Sequence, residues 1–362
     1  MADTEINETK LFLDKLKKKY SKEIVEANHA FIPTGVFPLD VAIGGGIREG
    51  TSIEIAGAEG SGKTTLTIRI IANLMRVYPD DIFVYFDFEH VFDWEWAITN
   101  GIECIVTEKN GLKQYEPKGN FVLISPTTGE TMFKILEDLF DKNDVNVRGI
   151  IIDSLPAIMF EDELLTKTSS IALGSRANSK LAKFMSSRLS KKGAFMFIIN
   201  QVRDGMDMYG PKLVKPGGHA IKHMYSYQVE LKKSNKDTNI DLKDFSNTVY
   251  VSELKVTKNK FYGEGYKNSL YISRADGLSL IDNIANTFID LGVIKRSGPY
   301  YQLDGVEEKI LGRENTVQYL KEHPDLLVEQ YKQYIKKYVM KPGTPLLLEK
   351  CDIIFNSETK SL

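Results

Sequence analysis

The sequence predicts an α/β fold: a mostly parallel, doubly wound sheet, preceded by a small helical element and followed by a small α/β domain. Three observations predict it. Short apolar runs stand at Ser52–Ala56, Ile82–Phe86, Gly149–Asp153 and Phe195–Asn200. Segments of helical periodicity precede three of them, at Thr64–Tyr78, Thr131–Phe140 and Ala177–Leu189. A glycine-rich turn follows the first run and opens a helix. Strands that are apolar throughout belong to a sheet covered on both faces, and intervening helices supply that cover.

The elements follow in chain order. In residues 1–33, Leu11, Phe12, Leu13, Leu16 and Tyr20 form a stripe near helical spacing. That stripe is too short for a core of its own and predicts packing on another surface, in this chain or a neighbouring one. The adjoining Lys17–Lys19 run reads as a solvated helix face. Residues 34–273 form the core unit, which ends in a β-rich stretch at Tyr227–Lys232, Thr248–Lys258 and Ser269–Ser273. In residues 274–340, Ile281, Ile284, Ala285, Phe288 and Leu291 predict a helix ending at Gly292, and Val317–Val339 predicts two short helices broken by Pro324. Residues 341–362 carry no readable pattern and are expected to form an irregular tail.

Bulk properties exclude several classes. A net charge of -2 removes any long-range positive field, so a nucleic-acid site has to be a local patch. Cys104 and Cys351, the 2 cysteines, stand far apart without metal-ligand spacing, which suits a reducing compartment. No apolar run approaches the roughly 18 residues of a membrane span. The expectation is a soluble cytoplasmic protein.

Gly57-Ala58-Glu59-Gly60-Ser61-Gly62-Lys63-Thr64 is a complete phosphate-binding loop between a strand and a helix. Its glycines let backbone N–H groups turn inward around phosphate oxygens, and the helix N-terminus adds partial positive charge. Lys63 neutralises the β- and γ-phosphates, and the Thr64 hydroxyl completes a Mg2+ shell; Thr65 joins the nucleotide-binding set. A carboxylate at a strand end is also needed, and Asp153 supplies it as a metal ligand, directly or through water. Hydrolysis needs a group that orients or deprotonates water. Glu89 follows a parallel strand and should face the same crevice, so it is the candidate base. His90 reads as a packing or hydrogen-bonding residue.

Beyond these residues the chain resembles the RecA family of DNA strand-exchange recombinases over about residues 34–340. Several motifs carry the resemblance in the family's order: Thr34-Gly35, Leu39-Asp40, Gly44-Gly45-Gly46-Ile47, the run from Phe86 to Asp93, Pro126–Glu130, Ile199–Arg203, Gly217-Gly218, Lys255–Lys260, Gly298–Tyr301 and Gly312–Asn315. The resemblance implies a RecA-type P-loop ATPase core. It further implies that Asp93 and Trp96 contact adenine, that Gln201 senses the γ-phosphate, and that Lys258 and Lys260 reach into the neighbouring subunit's nucleotide. Two lysines two residues apart on a strand point to one face. A solvated strand edge blunted by lysines has the same pattern. Relative to the bacterial pattern, residues 103–120 look like an insertion, His219 replaces an asparagine, and the tail lacks a strongly acidic run.

Two segments read as DNA-binding loops. The first runs from Glu161 to Ala172, and Arg176, Ser179 and Lys183 on one face of the helix after it could track phosphates. A solvated helix face would look the same. The second runs from Val202 to Gly218 without regular structure. Arg203, Met206, Met208, Tyr209, Gly217 and Gly218 are its candidate contacts, with apolar tips wedging between bases. The function these expectations compose is an ATP-dependent recombinase that forms a helical filament on single-stranded DNA and pairs it with a homologous duplex. Single-strand-binding and loading proteins are further partners. The alternatives are a hexameric DNA motor of the same fold and a nucleotide-binding recombination mediator without strand exchange.

Overall fold

The computed structural model describes residues 2–20, 30–142, 145–161, 179–184, 188–204, 213–214, 218–234, 249–303, 306–339 and 347–359. An eight-stranded sheet is built from β1 (Ser52–Gly57), β2 (Ile82–Asp87), β3 (Phe121–Ile124), β4 (Val147–Asp153), β5 (Phe195–Gln201), β6 (Tyr227–Lys233), β7 (Val249–Asn259) and β8 (Lys267–Ser273). Their spatial order is β8-β7-β6-β1-β5-β4-β2-β3. The pairings from β6 to β3 are parallel, and β7 and β8 add antiparallel ribs at one side.

The apolar runs become strands because each feeds two cores at once. In β2, Phe83 and Tyr85 enter one cluster while Val84 and Phe86 enter the other. In β5, Phe195 and Phe197 go one way and Met196 and Ile198 the other. Period-2 alternation therefore sorts side chains between faces that are both covered, and no polar face is left to show in the sequence. The helix Lys63–Val77 belongs to the first face and Gly129–Asp141 to the second.

After the sheet, Leu280–Asp290 is helical, capped by Ser279 Oγ, which accepts from Asp282 N at 3.2 Å. Gly292 ends it with φ +71°, the left-handed region that glycine enters without strain. Leu291 lies outside the buried face and is exposed. Lys295–Ser297, Tyr300–Gln302 and Ile310–Leu311 form a three-stranded antiparallel sheet. Helices Arg313–Glu322 and Pro324–Tyr334 follow, broken at Pro324 as the sequence implies. At the N-terminus, Ala2–Lys19 is a helix whose Leu11, Phe12, Leu13 and Leu16 are exposed. Among the described residues no helix is long and apolar enough to cross a membrane.

Two expectations, on the tail and on the segment 202–218, are corrected, and the stretch read as an insertion takes a definite form. The tail is not irregular throughout: Lys350–Thr359 is a helix that buries Cys351, Ile354 and Phe355 at i, i+3 and i+4. It packs on the helices Lys63–Val77 and Pro324–Tyr334, a surface supplied by distant sequence. The stretch at 103–120 is an antiparallel hairpin, Cys104–Lys109 with Leu112–Pro117, turning at Asn110 (φ +54°) and Gly111 (φ +73°). The segment 202–218 is not structureless throughout. Arg203–Asp204 pairs with Leu213–Val214 in a short antiparallel ribbon, and Gly218 begins the helix Gly218–Met224.

Asp40 ties the core to the C-terminal elements. Fully buried, it accepts from Thr34 N (2.9 Å), Thr34 Oγ1 (2.8 Å), Gly35 N (3.0 Å) and Tyr331 Oη (2.7 Å). Burial raises its carboxyl to about 7 despite these donors, which act to lower it. The unfolded chain has the ordinary 3.8, so folding takes up a proton between the two values. This group's contribution to stability is therefore complete below the unfolded value and is lost as pH rises through about 7. Urea unfolding from pH 4.5 to 7.5 should show a declining component that Asp40→Asn removes. Tyr331→Phe should lower stability by about 1–2 kcal/mol at pH 7.

Candidate nucleotide site

The carboxyl ends of β1, β5, β4 and β2 lie side by side on one edge of the sheet, and the site hangs from that edge. The loop after β1 turns at Gly60 (φ +68°) and Gly62 (φ +87°). A Cβ on Gly57 would collide with Leu231 O, and one on Gly62 would meet Ile272 Cδ1 at 2.5 Å. Gly62 caps the helix Lys63–Val77 without any side-chain acceptor, so the first-turn N–H groups point into the loop. Ser61 is fully buried, and its Oγ has no hydrogen-bond partner among the described residues. These donors fit phosphate oxygens.

Lys63 is buried, with Nζ donating to Ala58 O at 2.8 Å. Burial lowers its affinity for a proton, while the charges of Asp153, Glu89 and Glu59 act the other way. Thr64 Oγ1 donates to Asp153 Oδ2 at 3.1 Å, and Tyr85 Oη donates to the same oxygen at 2.5 Å. Burial raises the Asp153 carboxyl to about 6; Tyr85 and Thr64 pull it down, and Glu89 and Asp87 push it up. Among the described residues no group of three or more His, Cys, Asp or Glu could hold a metal alone. One hydroxyl beside one carboxylate instead fits Mg2+ that takes phosphate oxygens as further ligands.

Glu89 follows β2 and meets this group from the other side. Its Oε1 accepts from Gln201 Nε2 at 3.0 Å and from Ser154 Oγ. Asp87 Oδ2 accepts from Phe92 N at 3.0 Å and holds the turn after β2, where exposed His90 adopts φ +57°. The expected packing or hydrogen-bonding part for His90 is not seen: among the described residues its exposed side chain makes no hydrogen bond. Lys63, Thr64, Asp153, Glu89 and Gln201 thus converge from four strand ends.

Asp93 N-caps the helix Trp94–Thr99, accepting from Trp96 N at 3.1 Å. Trp96 Nε1 donates to Thr65 Oγ1 at 3.1 Å, which sets the indole beside the phosphate-loop helix. The hairpin braces this short helix. Tyr115 stacks on Trp94 with centroids 6.0 Å apart, and Tyr115 Oη and Lys113 Nζ both reach Glu95 Oε1, at 2.8 and 2.5 Å.

Lys258 and Lys260 lie elsewhere. Lys258 pairs with Gln228 at the start of β6, whereas the phosphate loop leaves β1 opposite Leu231. Lys258 Nζ donates to Lys222 O (2.7 Å) and His223 O (3.3 Å), and Lys260 Nζ to Met224 O (3.4 Å). Lys260 stands just past the end of β7, and both cations sit on the carbonyl end of the helix Gly218–Met224, where a helix favours them. Of the DNA-contact candidates, Arg176, Met206, Met208, Tyr209 and Gly217 lie outside the described residues. Arg203 is described by its backbone in the ribbon, and Gly218 by its place at a helix start. Ser179 and Lys183 share one face of the helical segment 179–184, and Lys183 is exposed.

Sequence reasoning missed Tyr85, Ser154 and the hairpin's brace. No local signal marks Tyr85, which is one aromatic in an apolar strand. The Asn110-Gly111 pair does carry a hairpin signal. Since the metal needs an ionised carboxylate, Mg2+-dependent nucleotide binding should weaken as pH falls through about 6, the Asp153 value. Tyr85→Phe removes a donor that lowers this value and should move the loss to higher pH. Mg2+ titrations with a fluorescent ATP analogue between pH 5.5 and 8 check both.

Comparison with known proteins identifies the family. The family model for the RecA N-terminal domain matches residues 9–279, and that for the RecA C-terminal domain matches residues 283–339. Protein RecA of Acholeplasma laidlawii (strain PG-8A) is 30% identical over 335 residues, covering 89% of this chain and 94% of that protein. Protein RecA of Aquifex pyrophilus is 32% identical over 308 residues, covering 82% and 80%. Protein RecA of Syntrophus aciditrophicus (strain SB) is 29% identical over 328 residues, covering 89% and 88%. The matched span takes in the phosphate loop, all eight sheet strands and the helices Arg313–Glu322 and Pro324–Tyr334, and the chain belongs to the RecA family.

Proposed function

We propose that this protein is an ATP-dependent recombinase that polymerises head to tail on single-stranded DNA and pairs the bound strand with a homologous duplex. ATP and Mg2+ would sit between adjacent protomers. RecA family membership supports ATP binding, DNA binding and a DNA-dependent ATPase in general. The finer reading rests chiefly on one contact, Gln201 Nε2 to Glu89 Oε1 at 3.0 Å. Gln201 ends β5 and opens the segment 202–218, so the residue beside the phosphates and the proposed strand-gripping loop share one short piece of backbone.

The chain's residues divide the work. The N–H groups of Gly60 to Thr64 and the Lys63 ammonium hold the β- and γ-phosphates, while Asp93 and Trp96 hold the adenine. Thr64 and Asp153 hold the metal, which when bound neutralises phosphate charge. Glu89 orients the attacking water and accepts its proton. Gln201 shares Glu89 and reads the γ-phosphate, which orders the segment 202–218. Lys258 and Lys260 are far from their own protomer's phosphate loop, which supports service to a neighbour's triphosphate in an open, heterologous assembly. Arg203, Met206, Met208, Tyr209, Gly217 and Gly218 would contact the strand, with Arg176, Ser179 and Lys183 tracking phosphates. Base pairing supplies sequence specificity. A cytoplasmic setting with single-strand-binding and loading proteins goes with this reading.

Electron microscopy with single-stranded DNA and a slowly hydrolysed ATP analogue should show helical filaments. Closed rings, or equal coating without nucleotide, would overturn the reading. Lys63→Ala should abolish DNA-stimulated ATPase activity. Lys258→Ala with Lys260→Ala should lower it at least about ten-fold while the circular dichroism spectrum is unchanged.

A further inference from the structure

Among the buried acids that the mechanism above does not use is one beside the phosphate loop's own strand pairings. Glu54, in the middle of β1, is 1% exposed. Its Oε1 accepts from Asn200 Nδ2 at 2.8 Å and its Oε2 from Gln228 Nε2 at 2.7 Å. A carboxylate in a sheet interior is costly unless the donors and charges around it balance its field.

The pairing register shows where the row leads. Gln228 stands opposite Glu54 across the β6–β1 pair, and Lys258 stands opposite Gln228 across β7–β6. Directly opposed residues share a face, as do diagonal neighbours two apart. On the other side Ile198 opposes Glu54, which puts Asn200 on that same face two residues along β5. Lys258, Gln228, Glu54 and Asn200 thus form a row across four adjacent strands. It starts at the lysine that the proposed function sends to a neighbour and ends one residue before Gln201.

Two further observations join its ends. Burial and the repulsion of Lys260 act against the protonated state of Lys258, and the charges of Glu264 and then Glu54 support it. Tyr225 is fully buried, lies in the field of Glu54, and its Oη has no hydrogen-bond partner among the described residues. Tyr225 links the helix whose carbonyls hold Lys258 to β6, which carries Gln228.

We propose that Glu54, Gln228 and Asn200 are positioning residues that couple Lys258 at the protomer interface to Gln201 and the loop it opens. When Lys258 engages the neighbouring protomer's triphosphate, Glu54 loses the cation nearest along its row. Its hold on the two amides changes, and the Asn200 end of β5 shifts the set of Gln201. The neighbour's nucleotide thereby acts on this protomer's strand-gripping segment. Coupling of this kind needs a difference in contacts between two states, and the departure of Lys258 supplies it. The inference rests on the proposed function, because it presumes that Lys258 acts in trans.

The experiment measures the affinity of the full-length protein for a fluorescent oligothymidylate, with and without a slowly hydrolysed ATP analogue. The parent should bind more tightly with the analogue. Glu54→Gln and, separately, Gln228→Met should reduce that gain about ten-fold, within the usual range of coupling between sites. Affinity for a fluorescent ATP analogue, and for the oligonucleotide without nucleotide, should stay within about two-fold of the parent. A merely structural role would lower the melting temperature or both basal affinities and leave their ratio intact. A full gain in Gln228→Met overturns the coupling, and that variant decides the matter if Glu54→Gln does not fold. No gain in the parent overturns the functional reading itself.

Discussion

Parallel strands in one sheet end on one edge, and that constraint carries the chemistry of this protein. The phosphate loop leaves β1, Glu89 follows β2, Asp153 ends β4 and Gln201 ends β5. Groups distant in sequence meet because β5 and β4 lie between β1 and β2. The same constraint separates functions. Lys258 and Lys260, at the far end of an antiparallel rib, stand at the other edge. One sheet thus presents the phosphate loop at one edge and two cations at the other, which the proposed head-to-tail assembly would bring together.

Much of this was legible in the sequence because each reactive group is tied to a strand end. Lys63 and Thr64 follow from the glycine pattern, Asp153 from the apolar run that it ends and Glu89 from its place just after another, while Gln201 was legible only through the family resemblance. The supporting contacts were not legible. Tyr85 reaches Asp153 because β2 and β4 are paired, and Ser154 reaches Glu89 for the same reason. Register is a property of the assembled sheet, and single-strand periodicity does not encode it. Glu54 escaped notice likewise, since a lone acid in an apolar strand gives no hint of the amides that face it.

The hairpin and the tail helix failed to show for different reasons. In the hairpin, Glu108, Lys109, Lys113 and Glu116 break the apolar alternation, so only the Asn110-Gly111 turn signals a strand pair. The tail helix has the right spacing at Cys351, Ile354 and Phe355, but three apolar residues make a helix only where a surface awaits them. That surface includes Gly35, whose missing side chain leaves room for Ile354, and the helix behind the phosphate loop.

The docking of this last helix bears on how the chain is made. Synthesis delivers Gly35 and the Lys63–Val77 helix early, and the residues that cover them follow only after every strand of the sheet has been made. The apolar patch behind the phosphate loop stays open until Cys351, Ile354 and Phe355 have been added. A nascent chain therefore has every nucleotide-holding residue in place before its own core is sealed. Premature termination anywhere upstream would leave a sticky, nearly finished protein for chaperones to find.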